Sequence, residues 1–479
     1  MGEETSMSYS GYPRIICGGM GVNISNWYLA REVSMFEWRN TAGVAMGTVS
    51  GVALEIIMAR TLQSGGLPAE NIKRALEHFP FPEVAEEVIK EFYLKKRGIP
   101  VWSISPSSLL IKLAVCANFA FVWLAKEGHA NPISVNYLEK IAMPHIYAIT
   151  GAMLAGIDFI TIGAGIPLHI PKVISAIAEG RTATYRVPVI GEKTKSFTMS
   201  FNPKEFFKGG LPPMKIPGFI PIIASNFLAS IFMRKLPAGS VYGFVIEGWK
   251  AGGHNAPPRR LVRDEFGNPQ PIYGEEDEVD YEKIRNIGLP FWIGGGLASP
   301  ESLKWALSVG AKGLQVGSIF ALSEDSGMRP DLRAKARELG FLGKLGIRKD
   351  MHFSPTGFPF QVAVLDGTLS EESVYDSRIR VCKHGALVSL YEKLDGIIGY
   401  RCPSEPVKLY IHKGGKEEDT VNRGCLCNGL ISTAGFCTER EPPVVTLGDD
   451  VSFLSKVMAS ANSSYSAEDA LSFLLGDVQ

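Results

Sequence analysis

The stretch FWIGGGLASPESLKWALSVGAKGLQVGSIFA, residues 291–321, has the order strand, glycine turn, helix, strand, glycine turn. The apolar run 291–293 ends in three glycines, and a second run, 312–316, ends in Gly317 and Ser318. Between them, Ser299 can cap a helix that has Pro300 at its first position. Backbone N–H groups that have no Cβ beside them can approach phosphate oxygens closely. The stretch predicts an anion site at two successive strand ends, and two ordinary glycine turns are the alternative.

Six more apolar runs precede glycine-rich or polar turns earlier in the chain. They predict strands at 13–17, 43–49, 132–136, 158–162, 219–224 and 241–246. With helices between most of them, eight such units indicate an α/β fold, a (β/α)₈ TIM barrel over residues 13–350. Phosphate sites after the seventh and eighth strands recur in such barrels. A doubly wound open sheet is the alternative, but its G-x-G-x-x-G fingerprint is missing from the first turn.

Local patterns add detail to this barrel. Alternating residues in 181–201 predict a β-hairpin insertion. Asn23 or Ser25 can cap a first helix that runs to Met35, and 52–98 is expected to hold two helices broken near Pro80 and Pro82. The polar, proline-containing stretch 255–285 is expected to cross the barrel mouth as a long loop.

Residues 351–479 show no further βα rhythm and are predicted to form a smaller C-terminal extension. A terminal helix over 464–475, capped by Ser466, is expected there. The extension holds most of the cysteines, namely Cys382, Cys402, Cys425, Cys427 and Cys437. Several thiols in a loop-rich segment can bind zinc or an iron–sulfur cluster. Their spacing is irregular, and buried reduced thiols are the alternative.

Composition limits the kinds of partner. The chain of 479 residues has 49 basic and 49 acidic side chains, so we expect neither nucleic acid nor a membrane surface as partner. The apolar windows near 151–176 and 216–233 are interrupted by Gly, Pro, Asp or Asn, which favours buried elements over membrane spans. The N-terminal residues lack the apolar core of a signal peptide, and reduced cysteines are expected, so the sequence predicts a cytoplasmic location.

One histidine stands out by position. His254 follows Gly252 and Gly253 directly after the sixth predicted strand, which places it at the carboxyl face of the barrel. An imidazole can transfer a proton near neutral pH, and the glycines allow the backbone to approach a planar cofactor. The sequence therefore predicts His254 as a catalytic residue, with a packing or surface histidine as the alternative.

Four motifs together resemble a known family. IICGGMGV at 15–22, EGWKAGGH at 247–254, GGGLA at 294–298 and QVGSIFA at 315–321 are similar to those of the nitronate monooxygenase group, formerly 2-nitropropane dioxygenases. That group includes flavin-dependent enoyl-acyl-carrier-protein reductases. The resemblance covers roughly residues 13–330. The long form, with its extension, also resembles PfaD-type enoyl reductase components of polyunsaturated fatty-acid synthases.

The resemblance implies FMN at the barrel mouth and His254 as the catalytic histidine. Residues that would contact FMN fall into four sets: Gly294, Gly295, Gly296, Gly317 and Ser318 for the phosphate; Gly18, Gly19 and Met20 for the isoalloxazine; Asn136 and Gly253 near the ring; and Gly163 and Ser225 by strand position. The chain departs from the family pattern at Cys17, where Gln is frequent, and at Ser318, where Thr is frequent. A substrate contact at Cys17 is therefore in doubt.

Three functions agree with these residues. The first is an FMN-dependent oxidoreductase that oxidises alkyl nitronates with O₂. The second is an enoyl-thioester reductase that uses NAD(P)H, and the third is a flavin-binding subunit of a larger synthase. The expected substrate is thus a small molecule or an acyl thioester, and the expected assembly is a homodimer or a synthase subunit. Both reactions need the same flavin and the same imidazole, so the motifs leave them open.

Overall fold

Eight parallel strands close into a barrel in the computed structural model, which describes residues 11–191, 196–265, 267–437 and 441–476. Each strand pairs with the next along the chain, and the first pairs with the eighth through Ile15 and Leu314. This closure confirms the predicted TIM barrel and excludes the open sheet. The barrel strands are Ile15–Cys17, Ala45–Ser50, Ile133–Leu138, Phe159–Gly163, Gly218–Ile223, Phe244–Glu247, Phe291–Gly294 and Gly313–Val316.

The barrel interior is packed with large apolar side chains. Successive side chains of a strand point to opposite faces, so alternate residues fill the interior while the others meet the helices. The interior cluster consists of Ile16, Met46, Ile220, Ile222, Val245 and Trp292. The indole Nε1 of Trp292 donates to the carbonyl of Pro13 at 2.8 Å, which fixes the chain entering the first strand. The barrel is therefore a core rather than a channel.

Helices surround the barrel and also form part of the extension. They are Trp27–Met35, Leu54–Ser64, Gly66–Glu77, Pro82–Ile89, Ser108–Lys126, His145–Leu154, Ile170–Ala178, Pro203–Phe206, Asn226–Lys235, Tyr281–Arg285, Pro300–Ser308, Ser318–Ala321, Pro330–Phe341, Glu372–Ser377, Val407–His412, Leu426–Thr433, Leu454–Val457 and Ala467–Leu475, with a π-helical turn at Lys90–Leu94 and 3₁₀ turns at Glu275–Asp277 and Glu417–Thr420.

Two local predictions about helices are wrong. Asn26, rather than Asn23 or Ser25, caps the first helix by accepting from Leu29 N at 2.8 Å. The hydroxyl of Ser25 instead accepts from Met20 N, and so fixes the first glycine turn. Residues 52–98 form three α-helices rather than two, because the chain also breaks at Gly65, which has a positive φ of 74°.

The helix Ser108–Lys126 is long and apolar enough to cross a membrane by length and composition. However, 72% of its apolar window is buried inside the protein, against the helices Leu54–Ser64 and His145–Leu154 among others. The core helix of a soluble protein meets the same criterion, so this one helix is weak evidence for a membrane span.

The predicted hairpin insertion is confirmed. Ala183–Arg186 pairs antiparallel with Thr198–Phe201, and part of the connection lies outside the described residues. The neighbouring strand Val189–Ile190 pairs with Ser389–Glu392, which pairs in turn with Ile398–Arg401. The insertion and the extension therefore share one small sheet. Residues 255–285 contain a short strand pair, Val262–Arg263 with Pro269–Gln270.

The extension is continuous with the barrel. Its strand Phe360–Ala363 pairs with Ile347–Asp350 across the predicted boundary near residue 350. The last helix, capped by Ser466 as predicted, packs against the first barrel helix and against Pro300–Ser308. The buried hydroxyl of Tyr465 donates to Ile319 O at 2.7 Å. These contacts bring residues from the end of the chain to the carboxyl face of the barrel.

Candidate active site

One cavity of about 250 Å³ lies at the carboxyl ends of the barrel strands. Eleven of the twelve residues predicted to bind the cofactor line this cavity, together with the predicted catalytic His254. Those eleven are Gly18, Gly19, Met20, Asn136, Gly163, Gly253, Gly294, Gly295, Gly296, Gly317 and Ser318. Residues far apart in sequence meet here because parallel strands present all their carboxyl ends at one face.

Glycine amides after the seventh and eighth strands form an anion cradle. Gly295 and Gly296 have φ values of 110° and 71°, which residues other than glycine rarely adopt. Within the described parts of the chain, no protein group accepts the amide N–H of Gly295, Gly296 or Gly317. Partly buried N–H groups are costly when unpaired, so these three donors are suited to a phosphate oxygen. The hydroxyl of Ser318 accepts from Gly448 N at 2.7 Å, which leaves its own O–H to donate.

The turn after the first strand is held against Asn136. A Cβ on Gly19 would lie only 2.1 Å from Asn136 Cβ, so the turn requires glycine there. The Asn136 Nδ2 donates to Gly19 O at 3.3 Å, and the Thr161 hydroxyl donates to Asn136 Oδ1 at 3.0 Å. Asn136 thereby positions the backbone of this turn, where the resemblance implied the isoalloxazine.

Ser225, predicted to contact the cofactor, and Cys17, where a substrate contact was in doubt, do not line the cavity. Ser225 does not line the cavity, because its hydroxyl caps the helix Asn226–Lys235 by accepting from Leu228 N at 3.3 Å. The structure therefore removes Ser225 from the candidate site. The thiol of Cys17 is fully buried in the hydrophobic core, and burial raises its pKa. A substrate contact at Cys17 is excluded by this position.

His254 faces the cavity and is held by a hydroxyl from the extension. Its Nε2 lies 2.7 Å from Ser354 Oγ, which in turn lies 2.8 Å from Thr356 Oγ1. The ring packs edge-on against Phe360, with 5.0 Å between ring centroids. Burial, and to a lesser degree the charge of Lys140, lowers the pKa of His254 to about 3. The imidazole is therefore neutral near pH 7.

A lysine and a carboxyl group were missed by the sequence reasoning. Glu247, at the end of the sixth strand, lines the cavity, and burial raises its pKa to about 7 against the opposing effect of Lys140. Burial lowers the pKa of Lys140 to about 8, against the opposing effect of Glu247. The Lys140 ammonium lies 3.4 Å from the centroid of the Phe358 ring. Lys140 carried no sequence signal beyond its position after a strand end, whereas Glu247 opens the EGWKAGGH motif, where it was given no role.

The extension builds a large part of the cavity wall. Its apolar residues that line the cavity are Phe360, Ala386, Leu387, Leu426, Leu430, Ile431, Val444 and Leu447. Its polar or small residues that line the cavity are Cys427, Thr433, Thr446, Gly448 and Asp450. The Thr446 hydroxyl accepts from Gly253 N at 2.7 Å, beside the imidazole. The extension therefore belongs to the site.

Four of the five extension cysteines surround a second, much smaller cavity of about 10 Å³. These are Cys382, Cys402, Cys425 and Cys427, whereas Cys437 does not line it. Burial raises the pKa values of Cys402 and Cys427 to about 12, which keeps both thiols protonated. Among the described residues, no three of these sulfur atoms approach one another within 4.8 Å. The geometry gives the predicted zinc or iron–sulfur site no support.

Solved structures similar over nearly the whole chain include FabK from Thermotoga maritima, at 14% identity and a TM-score of 0.49, covering 98% of this chain and 93% of that one. Nitroalkane oxidase from Streptomyces ansochromogenes has 12% identity and a TM-score of 0.45, covering 97% and 95%. The enoyl reductase domain of MlnA from the macrolactin biosynthesis cluster of Bacillus amyloliquefaciens has 12% identity and a TM-score of 0.45, covering 98% and 94%.

No protein-family model matches the chain, and no curated protein matches it. At identities of 12–14%, the similarity to the solved structures concerns the course of the chain. The chemistry depends on the residues of the cavity.

Proposed function

We propose that this protein is an FMN-dependent oxidoreductase of the nitronate monooxygenase type, which oxidises alkyl nitronates. One observation carries the proposal: glycine amides that no described protein group accepts, and a neutral imidazole, face the same largely apolar cavity. Amides without an internal acceptor suit the phosphate of a nucleotide, and the imidazole suits a substrate beside its ring.

The residues of the cavity fit FMN. Gly295, Gly296 and Gly317 would hold the phosphate, and the turn around Gly19 would lie beside the ring system, where a side chain would collide with Asn136. When bound, FMN supplies the electron acceptor that returns electrons to O₂. The protein supplies placement and electrostatics.

His254 is placed to form a hydrogen bond with a substrate in the cavity. Because burial keeps the imidazole neutral, the ring carries one N–H donor and one nitrogen with a lone pair. A nitronate has already lost its acidic proton, so the ring orients the substrate rather than deprotonating it. The hydrogen bond between its Nε2 and the Ser354 hydroxyl restricts rotation of the ring. Thr356 restricts the Ser354 hydroxyl in the same way. Ser354 and Thr356 are therefore positioning residues.

Lys140 favours an anionic substrate. Its charge lowers the pKa of His254, which means that its field reaches the catalytic imidazole. Lys140 is not among the residues that line the cavity, but a nitronate is an anion, and a positive field that reaches His254 favours an anion beside the imidazole. The extension forms part of the cavity wall and so keeps water away from the cavity. Less water means weaker screening of charges, which strengthens this attraction.

A second candidate is an enoyl-thioester reductase that uses NAD(P)H. Part of the cavity wall is apolar and is formed by Leu426, Leu430, Ile431 and Val444. Such a wall suits an acyl chain as well as a short alkyl group. We propose a cytoplasmic location and assembly as a homodimer or synthase subunit as predictions that accompany either reaction.

Anaerobic mixing of the FMN-loaded protein with two kinds of reductant separates the candidates. Bleaching of the flavin by propyl-2-nitronate without NAD(P)H supports nitronate oxidation. Bleaching by NADH or NADPH, followed by reoxidation with a crotonyl thioester, supports the reductase instead. A flavin that responds to neither supports the subunit role. A colourless protein that does not take up added FMN contradicts all three.

A further inference from the structure

Three potential metal ligands from separate segments meet beside the third and fourth barrel strands. Glu139 directly follows the third strand, His145 begins the helix His145–Leu154, and His169 precedes the helix Ile170–Ala178. One ligand atom from each side chain lies within 4.8 Å of the other two. Among the described residues this is the one such group of three or more His, Cys, Asp or Glu side chains.

The hydrogen bonds of His145 define where its free lone pair points. Its Nε2 lies 3.1 Å from Leu138 O, and because a carbonyl only accepts, the proton of the neutral ring is on Nε2. Nδ1 therefore presents a lone pair, 4.0 Å from Glu139 Oε2. Neither atom has a hydrogen-bond partner, although the His145 side chain is only 1% exposed. A separation of 4.0 Å is too long for a direct hydrogen bond.

His169 faces the same carboxylate from the other side through its Nδ1, whereas its Nε2 is buried without a hydrogen-bond partner among the described residues. Its Nδ1 lies 3.7 Å from the second carboxylate oxygen, Glu139 Oε1, and its ring is 6.1 Å from that of His145. Within the described chain, Glu139 forms no ion pair with a lysine or arginine. Burial alone accounts for the rise in the pKa of Glu139. Three acceptor groups thus share a space without a cation from the protein.

We propose that Glu139, His145 and His169 form a binding site for a first-row divalent cation, with Zn²⁺ as the representative. Two imidazoles and one carboxylate are an established donor set for such ions. A ligand histidine usually donates its other ring N–H to a carbonyl or carboxylate, as His145 does to Leu138. A divalent cation would give the two Nδ1 atoms and the Glu139 carboxylate one shared partner, and its charge would favour the ionised carboxylate.

The three side chains must move closer together to share one ion. Two ligands of a tetrahedral zinc ion lie roughly 3.4 Å apart at ordinary bond lengths of about 2.1 Å. The two histidine nitrogens lie 3.7 and 4.0 Å from different oxygens of Glu139, and one ligand atom from each side chain lies within 4.8 Å of the other two. The side chains of Glu139 and His169 are 20% and 22% exposed, which gives an ion access from solvent. Gly165 lies against Glu139, where a Cβ would be 2.3 Å from Glu139 Cγ. Because Glu139 follows the third barrel strand and His169 follows the fourth, a bound ion would hold two loops of the barrel mouth together.

The test is Zn²⁺ binding by the full chain, measured by calorimetry and by metal analysis after removal of loosely bound ions. We expect one equivalent of Zn²⁺ in the unchanged protein. His169→Gln and Glu139→Gln should each weaken binding at least about 100-fold, beyond the 10- to 100-fold cost of losing an outer-shell partner. Cys402→Ser with Cys427→Ser should leave binding unchanged, which separates this site from the cysteine cluster. His129→Gln is the matched control outside both groups.

Thermal unfolding provides a readout that does not depend on activity. Zn²⁺ should raise the melting temperature of the unchanged protein and of the cysteine variant, but not that of His169→Gln. In chelator, His169→Gln should melt close to the unchanged protein, because its side chain is partly exposed. Failure to bind Zn²⁺ overturns the proposal. So does binding that persists in His169→Gln and Glu139→Gln, or that is lost only in the cysteine variant.

Discussion

Gly296→Ala is the sharpest perturbation of the anion cradle. Gly296 has a φ of 71°, and an added Cβ would lie 3.1 Å from Lys250 Cβ and 3.4 Å from Lys250 Cδ. Its amide N–H is accepted by no described protein group. Gly288 is the matched control, because its φ is 83° and nothing lies within 4 Å of the position of an added Cβ. The two substitutions share the backbone strain and differ in the surroundings.

The strain and the loss of phosphate binding have separate magnitudes. A side chain in the left-handed region costs roughly 1–2 kcal/mol, so both variants should lose about that much stability. At Gly296, the added methyl group would also crowd Lys250 Cβ, so we expect the backbone amide to shift away from the phosphate position. Loss of one hydrogen bond to a charged group costs about 1.5–3 kcal/mol. That corresponds to roughly 10- to 150-fold weaker FMN binding.

Titration of flavin-free protein with FMN and with riboflavin, followed by flavin fluorescence, measures this loss directly. Riboflavin lacks the phosphate, so Gly296→Ala should weaken FMN binding and leave riboflavin binding nearly unchanged. Gly288→Ala should leave both affinities unchanged. Equal weakening of both ligands by Gly296→Ala, or unchanged FMN binding, would refute the assignment of the cradle to a phosphate.

Three further substitutions test other parts of the structure. His254→Ala should keep FMN bound while turnover falls by roughly 10²–10⁴; His78→Ala is the control, and an unchanged steady-state rate would mean that the imidazole has another role. Burial raises the pKa of Glu55. Above about pH 4.3, the usual pKa of a glutamate, this carboxyl group therefore holds its proton more often in the folded state than in the unfolded state. The free energy of unfolding falls as pH rises through that range. Glu55→Gln, which keeps an acceptor for Trp102 Nε1, should reduce that fall between urea unfolding curves at pH 5 and pH 8. The raised pKa values of Glu247 and Glu139 should leave part of the fall in place. An unchanged pH dependence in the variant would contradict the contribution of Glu55. Leu471→Ala, in the fully buried face of the last helix, should cost about 2–5 kcal/mol in the same unfolding assay; a cost below about 1 kcal/mol would mean that this helix contributes little to the core.

The sequence alone determined the barrel and the ends of its strands. Short apolar runs that end in glycine are local signals, and the rule that parallel strands present their carboxyl ends at one face converts them into a site. For that reason the turns at Gly19, Gly296 and Gly317, and the position of His254, could be predicted together. Ser225, predicted by the same rule, does not line the cavity, because a strand-end serine can also cap the following helix.

Tertiary structure decided the rest. Ser354 contacts His254, and Thr446 contacts Gly253, from more than 90 residues further along the chain, and no local pattern marks either as a neighbour of the imidazole. The extension closes the cavity because its apolar side chains must be buried against the barrel, and burial depends on what lies opposite in space. The same holds for Glu139, His145 and His169, whose ligand atoms meet only when two barrel loops fold together. Periodicity along a chain specifies elements, whereas convergence of side chains from separate elements requires the packed fold.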